Sequence, residues 1–157
     1  MLIINSALAN GFMSVSNRVD NQVAQRHDNF ICIAAANTTG DGATSQYAGR
    51  NQIDGAFMDR FVGCKVEVNY DNELESNFLQ SFPLALTTLN RIRENVVNHK
   101  IRRIVSTRAF ISASKSIHYD TEVNKKSETK AVNNFLDTFF IGWTNEERKK
   151  ALDGVTI

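Results

Sequence analysis

Cysteine is scarce. The 157-residue chain has two, Cys32 and Cys64, each inside an apolar, strand-like run and without metal-ligand spacing. They are expected to be reduced thiols in the core of a cytoplasmic protein, and their number argues against a disulfide scaffold. Histidine is equally thin. His27, His99 and His118 are scattered, so no metal site is expected. No apolar run approaches the roughly 18 residues that cross a bilayer, and no basic region precedes the first apolar residues. Neither a membrane helix nor a signal peptide is read. An excess of one charge is missing too. Eighteen Lys and Arg against 17 Asp and Glu leave a formal net charge of +1, which makes no general case for nucleic acid or an acidic membrane. There is no internal repeat and no low-complexity segment. What remains is a chain that is 42% hydrophobic and 22% charged, enough for a packed core and long enough for one domain or one and a half.

The one proline, Pro83, stands where it can open a helix at its first turn. Behind it Ala85, Leu89, Ile92 and Val96 recur at helical spacing, which predicts an amphipathic helix. Residues 73–81 also read as helical. A further helix starts near Ser106 and carries Phe110, Ile111 and Ile117. The polar stretch 119–130 reads as a loop or insertion. Residues 131–141 read as a helix stopped by Gly142. Thr144 and Glu147 form a capping-box pattern for a last short helix. Phe135, Phe139, Phe140 and Trp143 are expected in the core of this helical half.

The first half has a different character. Leu2, Ile3, Ala7 and Leu8 predict a helix ended by Gly11. It starts at residue 1 without a cap, which leads to the expectation that this sequence is a C-terminal piece of something larger. Residues 12–19 alternate loosely before a polar turn at Asp20 and Asn21. Residues 30–36 are small and apolar throughout, as in a strand buried on both faces. Residues 63–70 put Val66, Val68 and Tyr70 on one face of a second strand. Between these strands lie a glycine-bearing loop and a short helical pattern ending in Asp59, Arg60 and Phe61. The division at about residue 70 predicts two parts, 1–70 and 71–157.

Three stretches, INSALANGFMS, HDNFICIAAANTTGDGATSQYAGRNQIDGAFMDRF and VSTRAFISASKSI, together resemble the second half of an AAA+ ATPase module. The nearest subgroup is the MoxR and cobaltochelatase-ATPase-subunit group of the dynein-related AAA family, frequent in bacterial and phage genomes. The resemblance covers the chain to about residue 118 and is strongest over 30–70. It implies an α/β fold in which a partial P-loop NTPase core sheet is followed by an all-α lid. It implies that Asn37 is the sensor 1 residue, a neutral group that orients the attacking water at the γ-phosphate. Arg60 matches the arginine finger, which reaches the neighbouring subunit's nucleotide in trans. Arg108 matches the sensor 2 arginine, which touches the ATP phosphates, and Arg50 is a weaker candidate on the same path. Phe61 would anchor the finger helix, and residues 11–29 match the hairpin before sensor 1.

Other family features are missing. No G-x-x-x-x-G-K-[ST] motif and no apolar run ending in Asp-Glu occurs, so the phosphate cradle, its lysine and the magnesium ligand are absent. ATP and Mg2+ are therefore expected only in a full-length assembly, and this chain alone is not expected to hydrolyse ATP. The strand that carries the P-loop would lie between strands 30–36 and 63–70. Without it Ile31, Ile33, Val66 and Val68 lose their central partner, and the isolated chain is expected to be unstable, to dimerise or to rearrange. The resemblance implies a homo-oligomeric, hexameric ring acting on a protein client or in metal insertion. The alternative is a non-enzymatic truncated paralogue, phage-encoded or otherwise, that docks on a full-length ATPase ring. The basic residues Lys100, Arg102 and Arg103 read as a solvated face rather than a nucleic-acid site.

Overall fold

The computed structural model describes residues 2–38, 40–43 and 51–157. These fall into two compact units, one holding the described residues up to Gly42 together with Asn51–Lys65, the other Ala43 and Val66–Ile157.

In the first unit, helix α1 (Leu2–Asn10) is stopped by Gly11, whose φ of 77° suits a residue without a Cβ. Arg26 reaches back to the end of this helix and donates to the carbonyls of Leu8 at 2.9 Å and Ala7 at 3.3 Å, a cation where the helix leaves free acceptors. Strands β1 (Phe12–Ser14) and β2 (Val23–Gln25) pair antiparallel, with Met13 opposite Ala24. Helix α2 (Gly55–Asp59) starts at Asp54, whose carboxylate accepts from the Phe57 amide at 3.0 Å. The Met58 side chain packs on Gly40, where a Cβ would come within 3.1 Å of its sulfur and φ is +100°. Phe57 is the one large apolar side chain that is buried among the described residues of this unit.

The second unit holds the core. Helices α3 (Asn72–Phe78), α4 (Pro83–Asn98), α5 (Thr107–Glu122), α6 (Glu128–Phe139) and α7 (Asn145–Ala151) surround a single apolar cluster. Leu79, Leu89, Ile92, Val96, Phe110, Ile117, Val132 and Leu136 are among its members with little or no solvent exposure. Four of the five helix starts, all but that of α5, have a side-chain partner for their free amides. Asp71 caps α3, and Ser127 caps α6. Thr144 and Glu147 complete the capping box of α7. At α4 Pro83 removes one donor, and Glu128 of α6 accepts from the Leu84 and Ala85 amides at 2.9 and 3.4 Å. Asn95, buried, donates to the carbonyls of Ala151 and Asp153 and so closes the other end of α7.

The α/β expectation is overturned. Among the described residues the chain is mostly helical, and its sheet is the two-stranded β1–β2 hairpin. Neither 30–36 nor 63–70 is a strand, and no P-loop core sheet is formed. Ile31 is 80% exposed, Ile33 89%, Val66 86% and Val68 91%. The physical reason lies in pairing. A strand cannot satisfy its own amides and carbonyls, and the neighbours that such apolar runs need are not among these residues. Cys32 is half-buried and Cys64 exposed, so neither is the core thiol expected. The loop expected over 119–130 is also shorter. Helix α5 continues to Glu122, and Asp120 organises the short connection to α6 by accepting from Asn124 at 2.7 Å, Lys126 at 2.9 Å and Asn134 at 2.7 Å.

Candidate functional site

Asn37 and Arg60 belong to the first unit and Arg108 to the second. Asn37 is exposed at a bend rather than at a strand end. Arg60 directly follows α2, is exposed, and turns its guanidinium back onto the carbonyl of Ala56 in its own helix. It makes no ion pair with Asp59 or any other carboxylate among the described residues. No hydrogen bond or ion pair links Asn37 with Arg60. Phe61 packs on Phe57 with ring centroids 5.4 Å apart and the rings tilted by 53°, which ties the residue after Arg60 to the buried face of α2. Arg50 lies outside the described residues, as does most of the loop after Asn37.

Arg108 has a more definite setting. It is the second residue of α5, and Ser106 before it makes no side-chain cap bond. Arg108 is exposed and has no hydrogen-bond or ion-pair partner among the described residues. It borders an open groove of about 350 Å3 whose floor includes Phe135 and Phe139, with the hydroxyl-bearing residues Ser106, Ser112 and Thr138 around it.

The residue before it, Thr107, is fixed tightly. Its hydroxyl donates to Glu75 at 2.7 Å. Glu75, at 1% exposure, also accepts from both terminal nitrogens of Arg93, at 2.6 and 2.8 Å. Arg93 spends its third donor on the Val105 carbonyl at 2.9 Å. Its guanidinium lies 4.1 Å from the Tyr70 ring centroid and 4.5 Å from that of Phe110. Burial by itself would raise the Glu75 carboxyl, but the hydrogen bonds from Arg93 and Thr107 and the nearby positive charge bring the net shift below the usual carboxylate value. The start of α5, and with it the base of Arg108, is thus pinned to α3 and α4 by one ionised carboxylate. Sequence reasoning missed this network. Glu75 and Arg93 are eighteen positions apart on different helices, and neither breaks a local pattern.

Neither a protein-family model, a curated protein nor a solved structure matches this chain.

Arg103 is committed to Glu147, and a second, smaller recess of about 240 Å3 sets His99, Lys100, Arg102 and Lys150 against Glu146 and Glu147. This mixed field does not make a phosphate-tracking surface. Among the described residues no cluster of three or more His, Cys, Asp or Glu could hold a metal ion. No helix among them is long and apolar enough to cross a membrane. Among the described residues the groove beside Arg108 offers one unpaired guanidinium to an anionic group and nothing to complete a triphosphate cradle.

Proposed function

We propose that this chain is the carboxy-terminal, arginine-bearing portion of an AAA+-type ATPase, MoxR- or cobaltochelatase-like, that acts as a cytoplasmic ring on a protein partner or in metal insertion. The observation that supports it is Arg108: an exposed, unpaired guanidinium in the first turn of a helix whose start is locked by Thr107, Glu75 and Arg93. A locked base with a free charged end suits a group that must meet a phosphate and report its presence to a helical lid. In this reading residues 71–157 act as that lid. Arg60 reaches the nucleotide of the neighbouring subunit, and Asn37 orients the attacking water. ATP and its magnesium would be held mainly by segments that carry a phosphate loop, and hydrolysis belongs to the assembly.

The test uses the native gene product in its native assembly, with ATP binding and hydrolysis both measured. Losing one charge-assisted contact to phosphate is expected to weaken ATP binding and slow hydrolysis by about 10- to 100-fold in Arg108→Ala. Arg102→Ala, also exposed, is the control and should change neither. An assembly without ATPase activity, or one in which Arg108→Ala matches the wild type, would overturn the proposal.

A further inference from the structure

The segment 64–70 has an unusual combination of properties. It has no regular secondary structure. Among the described residues none of the amides of 65–70 donates a backbone hydrogen bond and none of their carbonyls accepts one. Val66 and Val68 are almost fully exposed, and Cys64 is exposed. Yet the order Cys64, Lys65, Val66, Glu67, Val68, Asn69 alternates apolar and polar with the period of a strand. The C-terminal end is held in place, because Tyr70 lies over the Arg93 guanidinium. Such a segment has the pattern of a strand and no strand neighbour among the described residues.

The charges identify the neighbour. We infer that 64–68 pairs antiparallel with the same segment of a second copy of this chain, about a two-fold axis through Val66. In that register Val66 faces Val66, Cys64 faces Val68, and Lys65 of each copy faces Glu67 of the other. The apolar side chains share one face, and two opposite-charge pairs form on the other. Moving the axis to Lys65 puts lysine opposite lysine, and moving it to Glu67 puts glutamate opposite glutamate. A shift by one residue sets valines against charged residues. Of these registers, the one about Val66 alone satisfies both faces within 64–68, and it is self-complementary, as a two-fold contact must be. The pairing also gives the free amides and carbonyls of the segment partners. It does not depend on any ATPase assignment.

Sedimentation equilibrium on the full chain provides the test. A reversible dimer is expected, populated at roughly 100 μM, since a two-stranded pair is weak by itself. Glu67→Lys should weaken association by about tenfold or more, because both cross-strand pairs become like-charged. Adding Lys65→Glu to it should restore wild-type association. All of these positions are exposed, so folding of the helical unit is expected to be unchanged by circular dichroism. In a Cys32→Ser, Cys64→Ser background, Val66→Cys should cross-link to itself on mild oxidation, as the facing Cα atoms in such a pair lie within disulfide range. A chain that stays monomeric at this concentration would overturn the inference and leave the segment to a different protein's strand. Association indifferent to the charge reversal, or not rescued by the double exchange, would overturn it as well.

Discussion

Removing the Glu75 carboxylate leaves Arg93 in a place built for an ion pair. In Glu75→Ala the guanidinium loses both bonds to the carboxylate and keeps the one to Val105. Thr107 loses the acceptor of its hydroxyl. The charge cannot simply turn to water, because the Arg93 side chain is 15% exposed and sits between the rings of Tyr70 and Phe110. Breaking such a pair from one side costs about 3–5 kcal/mol, against a net domain stability of about 5–15 kcal/mol. The exposed Arg91–Glu94 pair, with side chains 47% and 61% accessible, supplies the contrast, and Glu94→Ala should cost about 1 kcal/mol or less. Urea unfolding followed by circular dichroism, with slopes compared as well as midpoints, measures both. The double variant Glu75→Leu, Arg93→Leu should lose less than Glu75→Ala alone, since it leaves no orphan charge in the core. A Glu75→Ala protein within about 1 kcal/mol of the wild type would refute the view that this carboxylate locks the start of α5.

Other outcomes rest on the same physics. The Asp120 carboxyl is held at about 2 against an ordinary 3.8, chiefly by hydrogen bonds from Asn134, Lys126 and Asn124. Because this value is depressed in the folded state, its contribution is fully present above about pH 4 and is lost as pH falls through 2. Thermal melts of Asp120→Asn should therefore show a flatter acid limb than the wild type over that interval. Phe110, with no exposed surface, fills the centre of the helical unit, and Phe110→Ala should cost about 3–5 kcal/mol in the same urea assay. Amides 31–36 should exchange with solvent at nearly unprotected rates at every protein concentration, as none donates a backbone hydrogen bond among the described residues. Protection of amides in 65–68 should instead rise with concentration.

Helices could be read from this sequence because their signals are local. Ala85, Leu89, Ile92 and Val96 declare a face at i, i+4 and i+7 and bury it as α4. Thr144 and Glu147 form the capping box that their spacing announces. The strands expected at 30–36 and 63–70, which do not form, could not be judged in the same way. Apolar composition states what a strand would bury, while its formation depends on a neighbour that is distant in sequence. Polarity misled at 119–130, where Asp120, Asn124 and Lys126 satisfy one another instead of facing water as a loop. For the candidate site, Arg108 emerged from a motif and lies at an exposed helix start, whereas the Glu75–Arg93 lock beneath it left no trace in local pattern.

Subunit mixing tests most directly the claim that arginine and asparagine from this chain serve different nucleotide sites in one ring. In the proposed ring, Arg60→Ala and Asn37→Ala forms of the native assembly are each expected to lose ATP hydrolysis, the first by about 10³-fold or more if Arg60 acts as a finger. Mixed together, some interfaces join an intact Arg60 to an intact Asn37, and part of the activity should return. Full activity in either single variant, or a mixture as inactive as its components, would contradict the account.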